Sequence, residues 1–148
     1  FGEVFKQKAS EDYSKFGNCS KIFVETYKAL NLILVLPFFI LILFGPQIFS
    51  FVLGKKWEGA GEISQIMAVL FFFRFTISPL TYVYYIANKQ KEDFYLHLLF
   101  LIVSSLAFYF GFKSTHSIYK SILIYSILNS AIYVTYLIRS YKFSKSNI

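Results

Sequence analysis

Four long apolar runs with almost no charge constrain this chain more than any other feature. They cover residues 29–44, 63–86, 94–112 and 118–138. A helix needs about 20 residues to cross about 30 Å of hydrocarbon, and each run is close to that length. The runs are continuously apolar, without the polar alternation of a membrane barrel strand. The pattern therefore predicts an all-α fold: a polytopic membrane bundle of four transmembrane helices.

The composition supports a membrane protein over a soluble helical core. Hydrophobic residues make up 56% of the 148 residues, charged residues make up 16%, and the mean hydropathy is +0.53. Soluble domains average about 25% charged residues. The net charge of +7 could suggest nucleic acid, but the basic residues flank the ends of the runs, where lipid headgroups and topology account for them. We therefore expect membrane lipids, and no nucleic acid, as partners.

Residues suited to chemistry are few. Cys19 is the sole cysteine and cannot form an internal disulfide, and no Cys or His cluster has metal-ligand spacing. His97 and His116 lie near run ends without a Ser, Cys or carboxylate at a motif spacing, so we interpret both as interfacial polar residues. The sequence thus predicts no metal, no cofactor, no catalytic residue and no enzymatic activity.

Polar segments flank the runs at both ends of the chain. Residues 1–28 are rich in lysine and are predicted to form a cytoplasmic linker that leads into the first span. Residues 139–148 are predicted to form a cytoplasmic tail. The chain opens without Met and without the apolar region of a signal peptide. We expect it to be the C-terminal part of a longer protein.

Basic residues are distributed unequally between the two sides of the predicted bundle. Ten lie in the N-terminal segment, the 88–93 connection and the tail. Four lie on the other side, and these are Lys55, Lys56, Lys113 and Lys120. The positive-inside rule then places both termini in the cytoplasm, which an even number of spans permits. Trp57 and Thr115 are expected on the outer side, where Trp57 would be a membrane-interface anchor.

Arg74 lies near the middle of the second run, where inserting a guanidinium costs about 2.5–3.5 kcal/mol. No Asp or Glu lies inside the four runs. Its partner is therefore an anionic ligand in a wet cavity, a carboxylate on a missing helix, or nearby carbonyls and tyrosines. A planar guanidinium suits phosphate because it forms two parallel hydrogen bonds. Ser78 and Tyr82 follow at i+4 and i+8, and we predict that all three line one substrate-binding cavity.

Prolines and small residues predict the shape of the bundle. Pro37 and Pro79 each remove a helix hydrogen bond and are predicted hinges or kinks. Gly-Pro at 45–46 should end the first helix and leave a short extra helix within 45–53. Small-residue spacing predicts close helix packing at Ala107, Gly111, Ser126, Asn129 and Ser130. If further helices normally cover this piece, we expect the last three of these residues to face outward.

Residues 44–91 carry a resemblance to a known family. They read FGPQIFSFVLGKKWEGAGEISQIMAVLFFFRFTISPLTYVYYIANKQK. An apolar helix ends in Phe-Gly-Pro, and an apolar turn ending in Leu-Gly follows it. Trp-x-x-Ala-Gly, an apolar run with Arg-Phe and Ser-Pro-Leu, and Asn-Lys-Gln complete the pattern. This region, about a third of the chain, resembles the C-terminal part of bacterial polysaccharide flippases, members of the multidrug/oligosaccharidyl-lipid/polysaccharide exporter superfamily.

The resemblance implies a longer protein of two pseudo-symmetric lobes in the bacterial cytoplasmic (inner) membrane, with this chain as its last four helices. Alternating access around a partly cationic cavity would pass an undecaprenyl-diphosphate-linked oligosaccharide outward for synthesis of surface polysaccharide such as lipopolysaccharide. The partners would be that lipid-linked substrate and the missing N-terminal helices. Arg74 falls on the Arg-Phe position of the pattern. The alternatives are a multidrug or other small-molecule antiporter of the same superfamily, a membrane enzyme of envelope assembly, or a structural subunit.

Overall fold

The computed structural model describes residues 2–145. Over that range the chain is helical without any strand, which confirms the all-α prediction. The α-helices are α1 Gly2–Phe16, α2 Ser20–Leu53, α3 Glu58–Ile77, α4 Val83–Ile86, α5 Gln90–Thr115 and α6 Ile118–Ser144. Two 3₁₀ segments, Lys55–Trp57 and Ser78–Tyr82, precede α3 and α4. Position 1 of the predicted linker, positions 146–148 of the predicted tail and the side chain of Thr115 lie outside the described part.

Four of these helical stretches are long and apolar enough to cross a membrane. They are Ser20–Leu53, Lys55–Ile86, Gln90–Ser114 and Ile118–Ser144. Each contains one of the four predicted runs and extends beyond it, because the polar ends of a transmembrane helix continue into the headgroup region. The second stretch is composite, since α3, a 3₁₀ segment and α4 follow one another without a loop. The chain is therefore a multi-pass membrane protein.

The first span bends at a different place from the one predicted. In α2 the backbone leaves helical angles at Phe44, with φ −127° and ψ 17°, and Pro37 lies within the regular helix before it. Pro46 has no N–H to donate and its ring crowds the preceding turn, so the irregular residue lies just before Gly45-Pro46. The short helix expected within 45–53 is the part of α2 beyond this bend. The predicted change near Pro79 is present, because α3 gives way there to the 3₁₀ segment.

The long helices pack in the spatial order α2, α3, α6, α5. α3 contacts α2 and α6, and α6 contacts α3 and α5. In the most apolar window of each span, 33% of the residues of the α3 span and 39% of those of α6 are buried, against 6% for α2 and 11% for α5. α3 and α6 therefore form the centre of the bundle, and α2 and α5 present broad apolar faces to their surroundings.

The small and polar residues of α5 and α6 that were predicted to pack helices lie in the interior. Ser126 Oγ donates to the Ile66 carbonyl at 2.9 Å, and Ser104 Oγ donates to Asn129 Oδ1 at 3.2 Å. Ser126, Asn129 and Ser130 are all buried, as is Ala107. A Cβ on Gly111 would lie 3.0 Å from Ser121 Cα. These contacts agree with the predicted packing role. The expectation that the three polar residues of α6 face outward is wrong, because all three are buried: Ser126 bonds to α3, Asn129 to α5, and Ser130 within α6.

The N-terminal segment, the 88–93 connection and the C-terminal tail meet at one end of the bundle. The Cys19 N–H donates to the Ser144 carbonyl at 2.8 Å, which joins the start of α2 to the end of α6. Lys89 Nζ lies 5.8 Å from the centre of the Phe143 ring, which places the 88–93 connection at the same end. α1 packs there through the buried Phe5 and Ala9. The three segments that the charge count assigned to one side of the membrane therefore lie at the same end of the structure.

Candidate functional site

A small cavity opens where α3, the 3₁₀ segment Ser78–Tyr82, α5 and α6 meet. Its volume is about 140 Å³. The residues that line it are Arg74, Ser78, Thr81, His97, Phe100, Tyr133 and Tyr136. Phe100 is the one apolar side chain in this set, and the other six carry a guanidinium, an imidazole or a hydroxyl. A cluster of this polarity within membrane-spanning helices is the expected form of a binding site or an ion pathway.

Arg74 has no partner of opposite charge within residues 2–145. The ion pairs of the described part are Lys6–Glu3, His97–Asp93 and Arg139–Glu92. Arg74 is exposed, and no side-chain hydrogen bond within those residues involves it. Tyr133, which lines the same cavity, lies within electrostatic range of the guanidinium. All three expectations from the sequence therefore stay open: an anionic ligand, a carboxylate on another helix, and local carbonyls and tyrosines.

Ser78 lies beside Arg74 as predicted, but Tyr82 does not. The segment Ser78–Tyr82 is a 3₁₀ helix, in which residues i and i+3 share a face, whereas residues i and i+4 do so in an α-helix. Thr81 therefore takes the place in the cavity that α-helical spacing assigned to Tyr82. Tyr82 faces α1, where its ring lies 5.2 Å from Lys6 Nζ and stacks on Tyr85 at 5.7 Å.

Asp93, His97 and Tyr136 form a hydrogen-bonded group that sequence reasoning missed. Tyr136 Oη lies 2.7 Å from His97 Nδ1 and 3.3 Å from the Asp93 carbonyl oxygen. His97 Nδ1 also lies 3.0 Å from that carbonyl and 3.5 Å from Asp93 Oδ1. The i,i+4 spacing of Asp93 and His97 was the available signal. It was overlooked because Asp93 lies one residue before the apolar run and Tyr136 comes from a different helix.

The other predicted residues lie apart from this cavity. Pro79 is the second residue of the 3₁₀ segment that carries Ser78 and Thr81, so it shapes the cavity without lining it. Pro37 lies in α2, on the other side of the bundle. Trp57 is exposed in the 3₁₀ turn between α2 and α3, and His116 is exposed in the turn between α5 and α6. These exposed positions agree with interfacial roles.

Cys19 and Lys6, both outside the spans, have perturbed acidity. Burial raises the pKa of the Cys19 thiol to about 11, so the thiol is neutral at physiological pH. The hydrogen bond from Lys6 to Glu3 raises the pKa of that ammonium. Neither group lies at the cavity, and both belong to the end of the bundle where α1 packs.

The cavity can therefore offer a fixed positive charge, several hydroxyl donors and a titratable imidazole. This combination suits a phosphate-sized anion, because charge-assisted hydrogen bonds to phosphate oxygens are strong. Comparison with known proteins adds no relative: no family model, no curated protein and no solved structure matches this chain. The likeness of residues 44–91 to polysaccharide flippases thus remains a prediction from the residue pattern, and the chain is identified by its architecture as an all-α, multi-pass membrane protein.

Proposed function

We propose that this chain is the C-terminal part of a bacterial inner-membrane flippase that moves an undecaprenyl-diphosphate-linked oligosaccharide outward for surface polysaccharide synthesis. The observation that carries the proposal is Arg74, a permanent cation at mid-span that lines a hydroxyl-rich cavity and has no acidic partner in the described residues. A transported diphosphate would supply the missing negative charge. The pattern of residues 44–91 extends the proposal from an anion site to this transporter family.

The size of the cavity defines which part of the substrate it holds. Pockets for whole small ligands measure about 300–1,000 Å³. The cavity beside Arg74 is about 140 Å³, enough for a phosphate group but not for an oligosaccharide. In the proposal, Arg74 binds phosphate oxygens through its planar fork, while Ser78 and Tyr133 donate neutral hydrogen bonds. The Thr81 hydroxyl donates to the Ser78 carbonyl at 2.9 Å and would turn from it to the anion. The saccharide would lie against the helices of the other lobe.

Two further expectations belong to the proposal. Both termini of this chain lie in the cytoplasm, since the ten basic residues of the richer side share one end of the bundle. The protein acts as a transporter and not as an enzyme of envelope assembly. Within residues 2–145, His97 has no serine or cysteine as a hydrogen-bond partner, so the site lacks the usual pairing of a nucleophile with its base.

A small-molecule antiporter is the second candidate, and a separate groove favours it. This groove, of about 330 Å³, is almost wholly apolar and lies between α2 and α6. Its lining residues are Phe23, Val24, Tyr27, Leu137, Ile138 and Tyr141. An apolar pocket of this size accepts a hydrophobic drug-sized molecule. If the antiporter interpretation holds, substitution in this groove alters drug export and substitution of Arg74 leaves it unchanged.

The experiment is an Arg74 series in the full parent protein, with surface polysaccharide and membrane protein level measured together. Arg74→Lys keeps the charge but loses the two-pronged fork, so we expect partial export. Arg74→Ala should lose most export and Arg74→Glu all of it, at normal protein level. Arg139→Ala is the matched control, because Arg139 already pairs with Glu92 outside the cavity.

Two outcomes contradict the proposal. Normal export by a stably inserted Arg74→Ala protein excludes Arg74 from substrate binding. A large fall in the amount of folded Arg74→Ala protein instead indicates that Arg74 pairs with a carboxylate on another helix, since the variant would leave that charge buried and uncompensated.

A further inference from the structure

We propose that Asp93, His97 and Tyr136 form a proton-binding site in the wall of the Arg74 cavity, so that an anion enters this cavity together with a proton on His97. The inference rests on the proposed function in one respect, the binding of a phosphate-bearing group beside Arg74. It adds a second site, whose ligand is a proton, and a thermodynamic link between proton binding at His97 and anion binding at Arg74.

The hydrogen-bond geometry accommodates both protonation states of the imidazole. When Nδ1 is bare, it can accept the Tyr136 O–H across 2.7 Å. When Nδ1 carries a proton, it can donate to the Asp93 carbonyl at 3.0 Å and faces Asp93 Oδ1 at 3.5 Å. The Tyr136 O–H can then turn to the same carbonyl at 3.3 Å. Neither state leaves Nδ1 without a partner, so His97 can change its charge without a rearrangement of the helices.

Asp93 is placed to stabilise the charged imidazole. The residue is only 8% exposed, and its Oδ1 is buried without a hydrogen bond from the described residues. A buried carboxylate oxygen with no donor is costly. A protonated imidazole at 3.5 Å would compensate it. The group therefore holds an unused acceptor beside the titratable ring, which is the arrangement that a proton site requires.

The charged groups around His97 connect the proton to the anion. From α5 it faces Asp93, from α6 Tyr133 and Tyr136, and from α3 the Arg74 guanidinium across the cavity. The 3₁₀ segment contributes only neutral hydroxyls, and Arg139 is neutralised by Glu92 beyond Tyr136.

A proton bound at His97 and an anion bound at Arg74 carry opposite charges across one small cavity, so they attract each other. An anion at Arg74 therefore favours a proton at His97. By thermodynamic reciprocity, protonation of His97 then strengthens anion binding by the same factor.

The test measures binding of farnesyl diphosphate to the full chain in phosphatidylcholine nanodiscs between pH 8 and pH 5.5. Histidine changes charge in this range. Linkage to a single proton strengthens binding by up to about tenfold per pH unit. We expect affinity to rise as pH falls more steeply in the wild type than in His97→Gln, whose remaining slope reports the titration of the probe. His116→Gln, which changes the exposed histidine outside the cavity, should keep the wild-type slope.

Further variants separate proton binding from a structural role. Asp93→Asn removes the carboxylate that would compensate a proton on His97, so the slope should be smaller than in the wild type. Tyr136→Phe removes the hydroxyl that bonds a bare Nδ1, so diphosphate binding at pH 8 should strengthen even if His97→Gln folds poorly. Equal slopes for wild type and His97→Gln, with binding intact, contradict the proton site and leave the proposed function standing. No binding by the wild type at any pH contradicts both.

Discussion

The two flanks of the central α3–α6 pair are built in different ways. On the α2 side most contacts are apolar or depend on close backbone approach: Phe38 packs on Phe72 at 6.1 Å, and α2 crosses α3 at Gly45 and Gly61. One side-chain hydrogen bond also crosses there, from Gln65 Nε2 to the Ile42 carbonyl at 2.8 Å. On the α5 side, polar bonds connect the helices, through Ser104 to Asn129 and through His97 to Tyr136. The difference is one of proportion: close packing contributes most on the α2 flank, and hydrogen bonds between polar side chains are found on the α5 flank. The candidate site lies on the hydrogen-bonded flank because its donors and charges are there.

The largest effect is expected at the close crossing on the α2 flank. A Cβ on Gly61 would lie 2.5 Å from Pro46 Cα and 2.7 Å from the Gly45 carbonyl oxygen, and these are backbone atoms that cannot turn aside. Gly61→Ala should therefore destabilise the fold by about 3 kcal/mol, the upper range of overpacking costs. The measurement is reversible unfolding in mixed detergent micelles.

Gly59→Ala is the matched control, because a Cβ there would meet only the Tyr119 hydroxyl at an ordinary 3.5 Å. Both variants make the same chemical change in the same helix. Equal stability of the two proteins would show that α2 and α3 do not cross as closely as the structure has them.

A smaller effect is expected on the hydrogen-bonded flank. Asn129→Ala removes the acceptor of Ser104 and the buried amide that binds the Tyr125 carbonyl. Hydrogen bonds between membrane helices contribute about 0.6–2 kcal/mol, so we expect a loss of about 1 kcal/mol in the same unfolding assay. Ser105→Ala is the control, since Ser105 is exposed and bonds only within its own helix. Similar values for both variants would contradict polar joining of α5 to α6.

The sequence predicted the helices but not the details that create the site. Long apolar runs specify spans through a local physical requirement, because each span must cross the hydrocarbon unaided. Arg74 and Ser78 could be proposed as site residues for the same reason, because their depth in the membrane follows from their position within an apolar run. Thr81 lines the cavity instead of Tyr82 because the backbone forms a 3₁₀ helix at this point. Asp93, His97 and Tyr136 come into contact because of the way α5 packs on α6. Neither follows from spacing along one helix.

The 3₁₀ conformation of Ser78–Tyr82 predicts which hydroxyl of this segment binds the ligand. Thr81→Val keeps the shape of the side chain but removes a hydroxyl that lines the cavity. This hydroxyl must leave its bond to the Ser78 carbonyl to reach the anion, so the variant should weaken diphosphate binding only about two- to fivefold, the lower range for one neutral hydrogen bond. Tyr82→Phe removes a hydroxyl from a side chain that faces α1 and should leave binding unchanged. If Tyr82→Phe weakened binding more than Thr81→Val, Tyr82 would line the cavity, as α-helical spacing predicted. Affinity for farnesyl diphosphate in neutral nanodiscs is the measurement.

The smallest effect concerns a titratable group at the start of α2. Burial raises the pKa of Cys19 from 9.0 to about 11, so the folded state favours the neutral thiol. Its contribution to stability is fully present below about pH 9 and is lost as pH rises towards about 11, because the unfolded thiol ionises first. We expect the free energy of unfolding to fall between these pH values more in wild type than in Cys19→Ser. Parallel curves for the two proteins would contradict the burial of this thiol.

The most direct test of the account is whether Arg74 binds a diphosphate. Affinities of undecaprenyl diphosphate and of undecaprenol, which lacks the phosphates, are measured for wild type, Arg74→Ala and Arg139→Ala in phosphatidylcholine nanodiscs at pH 7. A hydrogen bond to a charged group contributes about 1.5–3 kcal/mol. The account predicts that Arg74→Ala weakens diphosphate binding by about ten- to a hundredfold, while undecaprenol binding and the Arg139→Ala protein stay at wild-type values. Equal diphosphate affinity in wild type and Arg74→Ala would contradict it.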